Sequence, residues 1–147
     1  MSERVQKANE IFSPDNCNCS QAVARAFGPS VGLDEKAAMG AARGFGGGIG
    51  SQALTCGAVT GAVMVLGFRA AELDRKTENP KTKAAELVRE FCTRFESRHG
   101  TIACLDLIGI DLSTETGQRI NKEKKITRTQ CPAFVRSAAE ILDEMLG

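Results

Sequence analysis

The sequence predicts a single all-α domain, residues 1–147, of about five or six helices packed around a central buried helix. Three observations lead there. Apolar residues recur at helical spacing along nearly the whole chain, and no segment alternates with a period of two. One stretch, residues 44–68, carries no charge and is flanked by amphipathic segments able to cover it. A chain of 147 residues, 42% hydrophobic and 25% charged, has the length and balance of one core rather than two.

Val5, Ala8, Ile11 and Phe12 form a first stripe that stops at Ser13-Pro14. Asp15 or Asn16 then caps a second helix, with Cys19, Val23, Ala26 and Phe27 on its inner face, ended by Gly28-Pro29. On such a helix Cys17 lies about 200° round from Cys19, so the two thiols point apart. Asp34 caps a third, Ala-rich segment running to about Arg43. Residues 44–50 make a glycine loop with exposed amides.

The central helix is expected near Ser51 to Ala71, with Cys56, Val59, Val63 and Leu66 on one face. Gly57/Gly61 and Ala58/Ala62 stand one turn apart and let a neighbouring helix approach closely. Once the glycine loop is set aside, about 16 moderately apolar residues remain, short of the roughly 20 that a bilayer needs, so this is a buried helix and no membrane span is expected. A polar stretch, Asp74 to Lys81, links it to an amphipathic helix bearing Leu87, Val88, Phe91, Cys92 and Phe95, which ends at His99-Gly100. Cys104, Leu107 and Ile108 share one side of a short helical turn closed by Gly109. Ser113 to Gln130 is polar and basic, compatible with a solvated helix or a long loop. Cys131-Pro132 is expected to open the last helix, whose buried stripe is Phe134, Val135, Ala138, Ile141, Leu142 and Met145.

Composition excludes several functions. Nineteen Lys and Arg against eighteen Asp and Glu leave a net charge of +1, with no basic field for nucleic acid. No Trp or Tyr is present to stack on bases. Gly48 to Ala53 matches the loose G-x-G-x-x-A fingerprint, but no strand precedes it, so a dinucleotide site is not expected. A small anion at the helix start, or simply a tight turn that positions Cys56, are the readings left for the loop. With His99 as the sole histidine, read as a helix-end or surface residue, Ser-His hydrolysis has little to build on.

Six Cys therefore dominate the functional reading. The charged N-terminus lacks an apolar signal region, which places the chain in a cytoplasmic setting, where Cys serve redox or metal chemistry more often than permanent disulfides. A thiolate is favoured near helix N-termini, and Cys19, Cys56 and Cys131 are placed at such positions, so Cys56 or Cys131 is expected to have a lowered pKa. Cys92 reads as a packed core residue, and Cys17 as a bystander or a resolving thiol.

Five segments, taken in order, carry a resemblance: Asn18-Cys19-Ser20-Gln21-Ala22-Val23, Phe45-Gly46-Gly47-Gly48-Ile49-Gly50, Cys56-Gly57-Ala58-Val59-Thr60-Gly61, Cys104 to Asp111, and Cys131-Pro132-Ala133-Phe134-Val135. Together they resemble the C_GCAxxG_C_C family of redox-active proteins over nearly the whole chain, although the Gly-Cys-Ala order of the family's name reads here Cys56-Gly57-Ala58. The resemblance implies an all-helical domain and marks Cys19, Cys56, Cys104 and Cys131 as the functional four, without implying a particular reaction. Converging thiols would serve as disulfide couples exchanging with an unidentified redox partner, with no cofactor required. They would otherwise hold zinc or an iron–sulfur cluster, although no C-x-x-C pair is present. A third reading is a non-redox helical interaction protein whose Cys merely pack. The sequence leaves the partner's identity and the oligomeric state open.

Overall fold

The computed structural model describes every residue except Met1, Thr77 and Asn79, with residues 80–82 described for their backbone alone. The described residues form eight α-helices and no strand: α1 Glu3–Ile11, α2 Cys19–Phe27, α3 Glu35–Ala42, α4 Gly57–Asp74, α5 Pro80–His99, α6 Cys104–Ile108, α7 Glu115–Lys124 and α8 Ile126–Leu146. The all-α class is as expected and the helix count is higher. The polar region after Ser113, compatible with a loop, is instead helix α7 followed by the first turn of α8.

Local chemistry sets the helix starts. Ser2, Asn18, Asp34 and Thr114 each accept an N–H of the first turn through the side chain. The cap of α2 is Asn18, not Asp15 or Asn16, because Gln21 returns its side-chain oxygen to the Asn18 N–H and completes a capping box. Residues 13–17 instead close a turn, with Ser13 N–H donating to Cys17 O at 2.9 Å and Cys17 N–H to Ser13 O at 2.8 Å. Cys17 thus lies outside the helix, and the angular argument separating it from Cys19 does not apply.

Helix α4 is central, packing on α2, α5 and α8. Gly57, Ala58, Val59, Gly61, Ala62, Val65, Leu66 and Ala70 are buried along it. A Cβ on Gly61 would stand 2.6 Å from the Ser20 carbonyl oxygen, so only glycine permits the α2–α4 approach. Phe27, Phe91, Phe95, Ile141 and Leu142 fill the remaining core. No helix among the described residues is long and apolar enough to cross a membrane.

Two expected boundaries move. Helix α4 begins at Gly57, because residues 47–51 take five successive left-handed conformations instead of a first helical turn. Helix α8 begins at Ile126 and runs through Pro132, so Cys131 is in the second helical turn and not at a cap. Proline favours the first helical turn, but here it costs only one helical hydrogen bond, at the carbonyl of the exposed Arg128. Lys125, left-handed at φ 52°, ends α7, and Asn121 Oδ1 accepts the Thr127 N–H to start α8.

Candidate thiol site

Three of the four cysteines expected to act together begin helices: Cys19 is the first residue of α2, Cys56 the N-cap of α4 and Cys104 the first residue of α6. The fourth, Cys131, projects from inside α8. An isolated antiparallel bridge, Thr55 to Ala103, holds two of them in register. Across it Cys56 N–H donates to Ile102 O at 2.8 Å and Cys104 N–H to Leu54 O at 2.6 Å.

The glycine loop is the wall against which these thiols sit. Gly50 N–H donates to Gly44 O at 2.8 Å and Leu54 N–H to Gly48 O at 2.9 Å, folding the left-handed run back on itself. Gly48 has φ +72°, and a Cβ there would stand 2.6 Å from Leu54 N and 2.8 Å from Cys104 Cβ. No other residue type fits beside Cys104 without displacing backbone. Gly57 plays the same part against Cys19, whose Cβ would be 3.1 Å from an added methyl.

Cys19, Cys56, Cys104 and Cys131 all line one cavity of about 390 Å³, together with Asn18, Gly46, Gly47, Gly48, Leu107, Ile108 and Phe134. Asp15, Arg43, Ser51 and Gln118 stand at its exposed rim. Asp15 is paired at 2.8 Å with Arg128, tying the 13–17 turn to α8. All six cysteines are free. Among the described residues, no group of three or more His, Cys, Asp or Glu side chains is disposed to hold a metal ion.

The thiols are not electrostatically equivalent. The Cys19 thiol donates a hydrogen bond to Cys131, which holds Cys131 below the ordinary thiol value against the opposing effect of burial. The same bond, with burial and the neighbouring thiolates, keeps the proton on Cys19 and raises it far above that value. Burial pushes Cys56 up to about 12, although the Ala58 and Val59 N–H groups favour its thiolate. Cys104 is pushed up to about 11 by burial and then by Cys131. The expectation of a helix-activated thiol therefore needs correcting in its cause. Cys56 does sit at a helix N-terminus, but desolvation outweighs the terminal amides; Cys131 is lowered by a partner thiol from the interior of its helix.

The other two cysteines stand apart. Cys17 Sγ lies 4.0 Å from Met39 Sδ, and burial raises its pKa despite the charge of Arg25. Cys92 is half-buried on α5 against the core and does not line the cavity. His99 is more than a helix end: its ring lies 4.8 Å from Phe95 and 5.0 Å from Phe134, and Nε2 is 2.8 Å from the buried Ser137 hydroxyl. Burial, then Arg98, lowers its pKa. Asn18 and Gln21 are site-positioning residues that the sequence analysis passed over, although their three-residue spacing before an apolar run is a legible capping signal. The bridge of Thr55 with Ala103 had no comparable signal, since it joins single residues 48 positions apart.

Among protein families, the one described as "Putative redox-active protein (C_GCAxxG_C_C)" matches residues 17–145, a span containing all four cavity cysteines. Comparison with curated proteins and with solved structures gives no match.

Proposed function

This chain belongs to the C_GCAxxG_C_C family, and from that premise we propose that it is a thiol redox protein in which Cys19, Cys56, Cys104 and Cys131 cycle between thiol and disulfide. The observation that carries this reading is that all four cysteines line one cavity, in which Cys131 is held below and Cys19 well above the ordinary thiol value. A thiolate beside a protonated thiol is the starting arrangement for exchange, one sulfur attacking and the other resolving. Cys19 and Cys131 form the first couple; Cys56 and Cys104, held by the same bridge, form the second and more weakly acidic one. A packing role alone leaves unexplained why four sulfurs from four helices share one solvent-reaching cavity.

Equilibration in oxidised and reduced dithiol buffers, followed by thiol counting and disulfide mapping, tests the proposal, with metal and acid-labile sulfide analysis alongside. Up to four of the six thiols are expected to be lost reversibly, with Cys17 and Cys92 retained. Cys19→Ser and Cys131→Ser should each remove the same disulfide. Six free thiols at every buffer ratio, disulfides that use Cys92, or a bound metal or cluster in the isolated protein would overturn the reading.

A further inference from the structure

Charge is unevenly spread around the mouth of the thiol cavity. Of the side chains that line it, only Asp15 and Arg43 are charged. Asp15 is paired with Arg128 at 2.8 Å, whereas Arg43 is exposed and makes no ion pair among the described residues. The α7 wall has the same sign. Gln118 and Asn121 line the cavity, and Lys122 and Lys125 follow Gln118 at i+4 and i+7, on the same helical face. Neither lysine is in an ion pair among the described residues, and nor are Arg119 and Lys124. On α5 and α8, by contrast, Arg94, Arg98 and Arg136 are each paired with a glutamate. Residues 115–128 hold five Lys and Arg against Glu115 and Glu123, a net +3 in a chain of net +1, so the remainder is net −2. Of the acids on the neighbouring segment, Asp106 is exposed about 200° round α6 from Cys104, and Asp111 is held by the Ser113 N–H and hydroxyl. Helices α2 and α4 start in the cavity wall, at Cys19 and Cys56, and add the positive ends of their dipoles.

A cleft of one sign raises the local concentration of ions of the other, and its low-dielectric walls focus the field. We propose that this mouth selects anionic reactants: on the redox reading above, the thiol or disulfide compound that exchanges with the cavity cysteines bears a carboxylate beside its reacting sulfur, drawn in by Arg43, Lys122 and Lys125. The selection is a matter of approach, so salt controls it. The screening length is about 30 Å at 0.01 M ionic strength and about 3 Å at 1 M, and a preference set by these exposed cations collapses between the two.

The experiment alkylates the reduced full-length protein with iodoacetate or iodoacetamide, which present the same reacting carbon and differ in charge, and resolves the sites by peptide mass. The ratio of the two rates at Cys19, Cys104 and Cys131 is divided by the ratio for 2-mercaptoethanol, which removes both the acidity of the thiol and the intrinsic reactivity of the reagents. At about 0.01 M salt the normalised ratio should favour iodoacetate by about three- to tenfold, and at about 1 M by less than half as much. Arg43→Gln should remove at least about half of the low-salt preference. If that variant folds poorly, Lys122→Gln with Lys125→Asn, a residue that accepts the left-handed backbone there, should lower the preference on its own. Lys76→Gln, exposed beyond the far end of α4 and about 27 Å from Cys56 along the helix axis, should leave it unchanged. The same iodoacetyl group on a short Glu-rich and a short Gln-rich peptide separates the two sources of a carboxylate. A larger preference between the peptides than between the small reagents assigns it to an acidic polypeptide segment, and an equal or smaller one to a small molecule. A normalised ratio below about threefold at low salt, a preference undiminished at high salt, one that both sets of variants leave in place, or cavity thiols that react with neither reagent would overturn the proposal. Neither reagent is a disulfide, so the two readings fail separately. Loss of the preference in a protein whose thiols still cycle in the dithiol buffers overturns charge selection alone, and six free thiols at every buffer ratio with the preference intact overturn the redox reading alone.

Discussion

Helix α4 and the loop that leads into it are built on different principles. In the loop, residues 46–57 approach Asn18, Cys19 and Cys104 so closely that loop backbone packs directly on their side chains, and six residues from Gly47 to Ala53 are left-handed. Three of those six, Ile49, Ser51 and Ala53, are not glycine, and each such residue costs about 1–2 kcal/mol. Along its length α4 lies in regular helix against α5, whose Phe91 and Phe95 stack with centroids 6.1 Å apart and are fully buried. No left-handed residue occurs within α4 or α5. The difference teaches that the helical half of this comparison supplies stability by ordinary side-chain burial, while the loop half spends some of it to bring helix starts and their cysteines together.

The largest effect should come from breaking the stable half. Phe95→Ala is expected to cost about 3–5 kcal/mol in urea melts while leaving the alkylation pattern of the cavity cysteines unchanged in the protein that remains folded. An altered pattern would show that the two halves are coupled.

Gly48→Ala should come next, at about 2–4 kcal/mol, since the added methyl meets Leu54 N at 2.6 Å in a backbone of positive φ. Here the alkylation rate of Cys104 is expected to change as well. Unaltered stability together with an unaltered Cys104 rate would remove the loop from the account of the site.

The cavity thiols give the thiol-bearing half a dependence on alkaline pH. Cys56 titrates at about 12 in the folded chain against an ordinary 9.0, so the unfolded chain releases its proton first. The stabilisation from the neutral buried thiol is complete below pH 9 and is lost as pH rises towards 12. Melts taken between pH 8 and 11 should show this fall, and Cys56→Ala should reduce it, leaving the part due to Cys104 and Cys19. Alkylation should follow the opposite order of ease, with Cys131 reacting at lower pH than Cys104 or Cys56. An alkylation profile in which Cys56 leads would reverse the assignment of the attacking thiol.

The smallest effect sharpens the comparison most directly. Gly67 lies in the second half of α4, exposed, with nothing within 4 Å of an added Cβ. Gly67→Ala should therefore raise stability by about 0.5–1 kcal/mol, the opposite sign to the same change at Gly48. Loss of stability at both positions would mean that helix α4 tolerates added side-chain volume no better than the loop before it.

By itself the sequence determined the helical class, the central position of the uncharged segment, and the inward faces carrying Val23, Phe91, Phe95, Val135 and Leu142. Helical periodicity records which side of each segment avoids water, and that information is local. Through its resemblance to a known family it also singled out the four cysteines. Tertiary structure alone decided where helices α4 and α8 begin, because a left-handed glycine loop and a proline inside a helix both defy local preference and are held by contacts from elsewhere. It alone decided which thiol holds its charge most readily. Terminal amides at Cys56 argue locally for an acidic thiol, but desolvation and the Cys19 hydrogen bond to Cys131 depend on residues more than a hundred positions apart, and over such distances only the folded chain fixes the balance.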